Sequence, residues 1–157
     1  EDFRLINYEK LSSVYREIFS EFFNKEIAAI RTFDFSFKFV NYLAATENQW
    51  LQPHRHIGED DFATVHYLNF KNEHSQTRFT NPASYAPFTQ FVQPELYSIL
   101  NQTALDNSYL WLYYTVPVKE DDMLIFPAGL IHEIPLQTPT EEPRITISAN
   151  IEVHKSD

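Results

Sequence analysis

The amino-acid sequence predicts a mostly β protein, a sandwich or barrel, with one α-helix packed against it near the N-terminus. Three observations support this fold class. An early segment carries apolar residues at helical spacing. Most of the remaining chain consists of short β-rich stretches separated by turn residues. The length of 157 residues suits one hydrophobic core and is too short for two, so we treat residues 1–157 as a single domain.

The predicted helix covers about residues 8–28, YEKLSSVYREIFSEFFNKEIA. Its apolar residues recur every three or four positions with charged residues between them, which is the pattern of a helix with one buried face. The positions that we expect to face inward are Leu11, Val14, Tyr15, Ile18, Phe22 and Phe23. Such a face must be covered, so we expect this helix to buttress the β structure.

The period of the pattern changes after the helix. In TFDFSFKF, residues 32–39, phenylalanine alternates with polar residues, as in a strand with one buried face. Further strands are predicted over residues 61–70, 76–80, 109–118, 122–127, 130–136 and 144–153, so the barrel occupies about residues 33–153. Residues 81–108 are less regular, and QPELYSIL at 93–100 predicts a short helix.

Composition limits the classes of function. The absence of cysteine excludes disulfides and thiolate metal sites, and it is compatible with a cytoplasmic protein. A net charge of −10 argues against binding to nucleic acid or to an anionic membrane, because both need clustered lysine and arginine. No apolar run approaches membrane-spanning length. A local basic pocket for a small anion remains compatible with this charge.

Two histidines stand two positions apart in QPHRHIGEDD, residues 52–61. In an extended segment, residues two apart point to the same side, so His54 and His56 can converge on one point. Pro53 favours extended geometry for the residue before it, and Gly58 favours a turn after the pair. Imidazole is a common metal ligand, although such a pair also occurs in ordinary polar loops.

A second segment strengthens the metal interpretation. DDMLIFPAGLIHEI, residues 121–134, predicts a strand, a turn and a second strand that carries His132. The chain has two glycines, and both lie within three residues of one of these histidines, Gly58 after His56 and Gly129 before His132. Glycine serves where backbone turns sharply or approaches another group closely, so we expect two constrained loops that meet at a metal site. An interior histidine bonded to a neighbour is the alternative for His132.

The last predicted strand, within PRITISANIEV, alternates polar and apolar residues. One face carries Arg144, Thr146, Ser148, Asn150 and Glu152. An ordinary amphipathic strand would turn this face to water. In a barrel the same face can line a cavity, where the guanidinium of Arg144 offers a planar fork to a carboxylate and the hydroxyl of Thr146 shares it. The second interpretation predicts an anionic small molecule held beside the metal.

The order of these motifs resembles that of the iron(II)- and 2-oxoglutarate-dependent oxygenases. The matching stretches are PHRHIG, VHYLN, FPAGLIHEI and RITISAN, which extend over about residues 45–153. They are most similar to a compact branch found in phage and marine bacterial genomes, whose first motif reads HxH rather than HxD. The resemblance implies a double-stranded β-helix, a jelly-roll or cupin-like barrel. If the chain is encoded by a phage, its expected location is the host cytoplasm.

The resemblance also implies roles for individual residues. His54 and His132 match the two iron-binding histidines, and His56 stands where most members carry a carboxylate ligand. Arg144 matches the arginine that pairs with the distal carboxylate of 2-oxoglutarate, with Thr146 in the supporting hydroxyl position.

The implied activity is that of a dioxygenase. It uses O2 to decarboxylate 2-oxoglutarate to succinate and to hydroxylate a C–H bond of a second substrate, with no catalytic residue beyond the metal centre. Strand alternation turns Tyr67 away from His66, so that Tyr67 can also reach the co-substrate.

The histidine at position 56 departs from the usual pattern. A neutral imidazole in place of a carboxylate leaves the iron site one unit more positive. Either His56 is a ligand in a three-histidine site, or a neighbouring acid supplies an oxygen. The acids available are Glu59, Asp60 and Asp61, for which a solvated turn is the other interpretation. His66 is a further candidate ligand, although it shares a strand face with Phe62 and Leu68 and is expected in the core.

Two rival interpretations keep the same fold. The histidine segments also resemble the two cupin motifs, in which case the ligands are His54, His56, Glu59 and His132. The scarcity of glycine and the presence of Arg144 twelve residues beyond His132 favour the oxygenase. The second rival is a module that keeps the metal without turnover. No motif identifies the prime substrate, a protein side chain or a metabolite, and we expect residues 81–108 and the loop after His56 to shape its site.

Overall fold

Two antiparallel four-stranded sheets face each other in the computed structural model, with an α-helix against the outer side of the first. The structure describes residues 6–27, 33–58, 60–84, 95 and 111–155. In this part of the chain the elements are α1 (Tyr8–Lys25), β1 (Phe33–Ala45), β2 (Leu51–His54), β3 (Phe62–Asn69), β4 (Arg78–Thr80), β5 (Tyr113–Thr115), β6 (Met123–Pro127), β7 (His132–Ile134) and β8 (Arg144–Lys155).

The strand order is that of a double-stranded β-helix. The first sheet runs β1-β8-β3-β6, and the second runs β2-β7-β4-β5. The chain changes sheet at almost every strand, so each sheet is built from segments that are distant in sequence. The fold class predicted from the sequence is confirmed.

The helix begins where the sequence predicted it, and it ends at Lys25. Asn7 caps its first turn by accepting a hydrogen bond from the backbone amide of Lys10 at 2.9 Å. The residues that the helix buries are Tyr15, Phe19 and Phe23. The expectation that Val14 and Ile18 face inward is wrong: they are 45% and 38% exposed. Each precedes a buried residue by one position, about 100° around the helix.

Aromatic packing attaches the helix to the first sheet. The ring of Phe19, fully buried, lies 5.0 Å from that of Phe35 and 5.9 Å from that of Phe62, measured between centroids. The predicted alternation of phenylalanines in β1 is observed: Phe33, Phe35, Phe37 and Phe39 are buried or half-buried between exposed polar residues. Edge-to-face contacts of this kind contribute more stability than the burial of their apolar area alone. They hold the helix against β1 and β3.

Both faces of β8 are buried. It lies between β1 and β3, and Ile151 packs into the aromatic cluster under the helix. On the opposite face, Arg144, Thr146 and Asn150 are also buried. The expectation of an ordinary amphipathic strand with its polar face in water is therefore wrong, because the second sheet covers that face. The alternative, a polar face directed into the barrel, is the arrangement observed.

Several observed strands are shorter than predicted. Among the described residues of the predicted stretches 76–80, 109–118 and 130–136, the strands are Arg78–Thr80, Tyr113–Thr115 and His132–Ile134. The short helix predicted over residues 93–100 lies, apart from Glu95, outside the described residues, as does most of the stretch 81–108. Within the described residues, no helix combines the length and apolar character needed to cross a membrane.

Candidate metal centre

Three histidines come together between β2 and β7. His54 ends β2, His132 begins β7, and the two are paired across the sheet. His56 follows two residues later, and one ring nitrogen from each of the three lies within 4.8 Å of the others. The ring centroids are 4.3 Å apart for His54 and His132, and 5.3 Å apart for His56 and His132. Among the described residues, this is the one cluster of its kind.

Backbone carbonyls orient two of the rings. Nδ1 of His54 lies 2.9 Å from the carbonyl oxygen of Gln52, and Nδ1 of His132 lies 2.8 Å from that of Leu130. Because a carbonyl oxygen only accepts, each Nδ1 carries the proton, and each Nε2 keeps a lone pair. Metal-binding histidines are typically held in this way, which sets both the tautomer and the direction of the ligand nitrogen.

The surroundings of the cluster favour neutral imidazole. Burial lowers the pKa of His132 to about 4; the hydrogen bond to the carbonyl of Leu130 opposes that effect, and the nearby His54 and His56 add to it. Burial also lowers the pKa of His56, with a smaller contribution from His54 in the same direction and an opposing one from Asp60. Neutral imidazole is the form that binds a metal, so His56 and His132 are in that form at neutral pH.

The two loops that carry the histidines are bonded to each other, as the sequence predicted. The amide of His56 donates to the carbonyl oxygen of Ala128 at 2.9 Å, and the amide of Ala128 donates to that of Asp61 at 3.0 Å. These bonds fix the segment after β2 against the turn before β7. The positions of the ligands therefore depend on backbone contacts between the loops.

The two glycines differ in backbone conformation in these loops. Gly58 has a φ of 140°, a conformation that a residue with a side chain rarely adopts. A Cβ added to Gly129 would meet nothing within 4 Å, and the backbone there has no positive φ that would demand glycine. The expectation that both glycines serve a turn is confirmed: Gly58 lies at a bend, and Gly129 lies in the turn that the amide of Leu130 closes by donating to the carbonyl oxygen of Pro127 at 3.0 Å. Of the two, Gly58 has the backbone conformation that favours glycine.

Two of the three neighbouring acids bind β8 rather than the cluster. A carboxylate oxygen of Asp60 accepts a hydrogen bond from the side-chain amide of Asn150 at 2.7 Å, and one of Asp61 accepts from the amide of Val153 at 2.8 Å. Neither acid belongs to the three-histidine group, and Glu59 lies outside the described residues. The solvated-turn interpretation holds for Asp61, which is exposed, and both acids in addition tie the loop to β8.

His66 lies on the helix side of the first sheet. Its ring nitrogens are 2.9 Å from the hydroxyl of Tyr15 and 3.1 Å from a carboxylate oxygen of Asp121. This is the core role that strand alternation favoured, and His66 takes no part in the metal cluster.

Arg144 is a buried cation, 0% exposed. In the part of the chain that the structure describes, its Nε, Nη1 and Nη2 atoms have no hydrogen-bond partner. Burial lowers the pKa of the guanidinium, and the neighbouring Tyr67 opposes that effect. An unpaired buried charge costs several kcal/mol, so a folded protein that keeps one is suited to binding an anion there.

The groups around Arg144 are hydroxyl-rich. Thr146 is buried, and it is paired across the sheet with Tyr67, whose side chain is also fully buried. The hydroxyl of Tyr67 donates to Oγ1 of Thr77 at 2.8 Å and accepts from the amide of Thr77 at 3.0 Å. Thr77 in turn lines a cavity of about 90 Å³ together with the three histidines, Ser148 and Asn150. Thr77 thus connects the metal cavity to Tyr67 and the groups around Arg144.

Thr77 was missed in the sequence analysis. It stands two residues before Phe79 in QTRFT, and both side chains are buried, at 1% and 6% exposure. Residues two apart in an extended segment lie on the same face. The alternation in QTRFT therefore could have predicted that Thr77 lies inside the barrel beside Phe79.

The fold and the site together define a double-stranded β-helix protein with a candidate three-histidine metal centre. No family model matches the sequence, and no curated protein matches it. Among solved structures, the chain is similar to HygX from Streptomyces hygroscopicus with iron bound, at 14% identity and a TM-score of 0.44, over 74% of this chain and 57% of that one. HygX with nickel and 2-oxoglutarate bound is similar at 13% identity and a TM-score of 0.37, over 88% and 66%.

The chain thus spans about three fifths of the length of HygX. At these identities and TM-scores, the case for a function depends on the geometry of the site itself.

Proposed function

We propose that this chain is an iron(II)- and 2-oxoglutarate-dependent dioxygenase. In this proposal His54, His56 and His132 hold the metal, and Arg144 holds 2-oxoglutarate with Thr146 and Tyr67. Iron(II), when bound, supplies the chemistry that couples the keto acid to O2. The reaction consumes one O2: one oxygen atom enters the hydroxyl group formed from a substrate C–H bond, the other enters succinate, and C1 of 2-oxoglutarate leaves as CO2.

The observation that carries the proposal is the unpaired guanidinium of Arg144 inside a barrel that also holds three convergent imidazoles. A keto dicarboxylate has two ends with different chemistry. The 2-oxo acid end chelates a metal, and the distal carboxylate fits a planar guanidinium fork. A ligand that carries both ends satisfies both parts of this interior at once.

Hydroxyl groups beside the guanidinium support the same ligand. Thr146 and Tyr67 lie next to Arg144 on the inner face of the first sheet, and a carboxylate accepts hydrogen bonds from hydroxyls as well as from a guanidinium. The Tyr67 hydroxyl donates to Thr77, so Thr77 sets the direction of the phenolic proton. On binding, that proton can turn to the carboxylate while the Thr77 amide still donates to the phenol oxygen.

A histidine at position 56 changes the charge balance of the site. Three neutral imidazoles leave the full charge of a divalent metal uncompensated, whereas a carboxylate would cancel one unit. The attraction for a doubly anionic keto acid is therefore stronger in this site than in one with a carboxylate ligand. Because this charge is uncompensated, we expect the protein to hold its metal more firmly when the anionic co-substrate is also bound.

A second candidate is a metal-binding module without turnover. The feature that favours it is the metal cluster itself, which among the described residues contains no carboxylate. Zinc accepts three histidines and one water in a tetrahedral arrangement, so the same residues suit a zinc site. The cupin interpretation needs Glu59 in addition, which lies outside the described residues.

The test is an anaerobic titration of metal-free protein with iron(II) and then 2-oxoglutarate, followed by visible absorption. We expect the charge-transfer band of a chelated keto acid on iron, and in Arg144→Ala a much higher concentration of 2-oxoglutarate to reach the same band. Arg16→Ala is the matched control, because Arg16 is half-exposed and pairs with Asp34 on the surface. Metal binding without any band would reject the oxygenase and favour the second candidate.

A further inference from the structure

An apolar cavity of about 500 Å³ lies between β4, β5 and β6, in addition to the metal cavity. Its walls include Phe79, Trp111, Tyr114, Val116, Leu124 and Leu130. Small-molecule sites usually measure 300–1,000 Å³ and are lined mainly by apolar and aromatic side chains, so this cavity has both the size and the lining of such a site. The rings of Trp111 and Tyr114 stack at 5.7 Å, which gives one wall a flat aromatic surface.

No described residue that lines this cavity is charged. Its polar side chains are Thr80 and Asn81. The side-chain amide of Asn81 donates to the carbonyl oxygen of Trp111, and its side-chain oxygen accepts from the backbone amide of Ala83, each at 3.0 Å, so this side chain helps to hold the rim. Among these described residues an ionised ligand would find no counter-charge and would lose its hydration, whereas an uncharged apolar ligand would bury its surface at no such cost.

One aromatic ring separates this cavity from the metal cavity. Phe126 lines both of them. Its ring centroid lies 4.7 Å from that of His132 and 4.9 Å from that of Phe79, and Phe79 lies 6.2 Å from His132. A molecule in the apolar cavity therefore sits beside the side chains that pack directly on a candidate metal ligand.

We propose that the prime substrate of this site is an uncharged, predominantly apolar small molecule, seated in the cavity and directed past Phe126 toward the metal. The inference rests on the proposed function, since that reaction needs a C–H bond close to the metal. It selects a free small molecule over an exposed protein side chain, because the lining is apolar and the volume of about 500 Å³ suits a whole ligand. It also gives a role to Asn81 and Pro82, which begin the stretch that the sequence analysis assigned to substrate binding.

The first test is independent of catalysis. N-phenyl-1-naphthylamine, a neutral fluorophore that brightens in apolar surroundings, is titrated into metal-free protein. We expect saturable binding, weakened about tenfold or more by Val116→Trp, which fills the cavity, and by Tyr114→Glu, which adds a charge to its wall. Tyr114 is 46% exposed, so its replacement does not threaten the fold. Val14→Trp on the exposed side of the helix is the matched control and should bind like the parent.

The second test asks whether the cavity adjoins the metal. Cobalt(II) added to the parent with its probe bound should quench the probe emission, and His132→Ala should abolish that quenching while it still binds the probe. Absence of probe binding, or binding that both cavity variants leave unchanged, would overturn the inference even if the charge-transfer band forms. Probe binding and quenching without any band would instead reject the oxygenase and leave an apolar ligand site beside a metal.

Discussion

The backbone amide of His56 donates a hydrogen bond to the carbonyl oxygen of Ala128, at 2.9 Å. This bond connects the segment that follows β2 to the turn that precedes β7, since Ala128 stands 72 residues after His56 in the chain. This backbone bond helps to keep two candidate ligands, His56 and His132, at a set separation. A site held in this way loses little conformational entropy when a metal binds.

The two glycines allow a matched test of that arrangement. Gly58→Ala should lower the unfolding free energy by about 1–3 kcal/mol and weaken metal binding, because alanine is strained at a φ of 140° and the loop of His56 must shift. Gly129→Ala should change stability by less than about 0.5 kcal/mol, since nothing crowds its Cβ. Denaturant unfolding and zinc(II) titration calorimetry measure both effects. Equal behaviour of the two variants would refute the distinction.

The cluster predicts which histidines bind a metal and which do not. His132→Ala should weaken cobalt(II) or zinc(II) binding by about a hundredfold or more, because a two-nitrogen site remains. His154→Ala, at a half-exposed position bonded to Ser36, should bind like the parent. The measurement is competition with a chromophoric chelator, and a similar loss in both variants would mean that the metal binds elsewhere.

The buried guanidinium of Arg144 predicts a substitution that raises stability and weakens ligand binding. Arg144→Met should stabilise the ligand-free protein, by about 1–4 kcal/mol, because it removes a buried charge that lacks a partner. The same variant should bind 2-oxoglutarate far more weakly. The stabilising effect and the loss of binding have one cause, the buried guanidinium.

Arg78→Met is the matched control for that substitution. The guanidinium of Arg78 bonds the largely buried carboxylate of Glu133 at 2.6 Å, so its removal should destabilise the protein by about 1–3 kcal/mol. Thermal and denaturant unfolding without added ligand show whether each substitution raises or lowers the unfolding free energy. Destabilisation by Arg144→Met would mean that the guanidinium already has a stabilising role in the ligand-free protein.

The parts of the fold that the sequence predicted well are those with a strict period. The alternating phenylalanines of β1 and the polar face of β8 follow from a repeat of two, and both occur at the expected positions. The helix was located, but Phe19 was left out of its buried face because Val14 and Ile18 fit the same spacing. Only the position of the sheet decides which stripe is covered.

Contacts between distant segments could not be predicted in the same way. Sequence motifs were enough to predict that His54, His56 and His132 form one site. The bonds of Asp60 to Asn150 and of Tyr67 to Thr77 instead depend on strand register. The paired strands are far apart in the chain, so no short hairpin turn fixes their register.

The last prediction concerns Tyr15, whose hydroxyl lies 2.9 Å from Nδ1 of His66 under the helix. Burial raises the pKa of this phenol above its ordinary value of 10.0. The folded protein therefore keeps the proton at a pH where the unfolded chain releases it. The stability that comes from the neutral phenol is complete below pH 10.0 and declines as the pH rises above it.

Tyr15→Phe removes both the hydrogen bond and the titrating group. At about pH 8 the variant should be less stable than the parent by about 1 kcal/mol, because it lacks the bond to His66. Toward about pH 11 the deficit should shrink or reverse, since only the parent pays to keep a buried phenol protonated. Phe62→Leu, a buried change with no ionisable group, should show a constant deficit. Urea unfolding across this range measures the difference, and a parallel course for the two variants would show that the Tyr15 hydroxyl does not control alkaline stability.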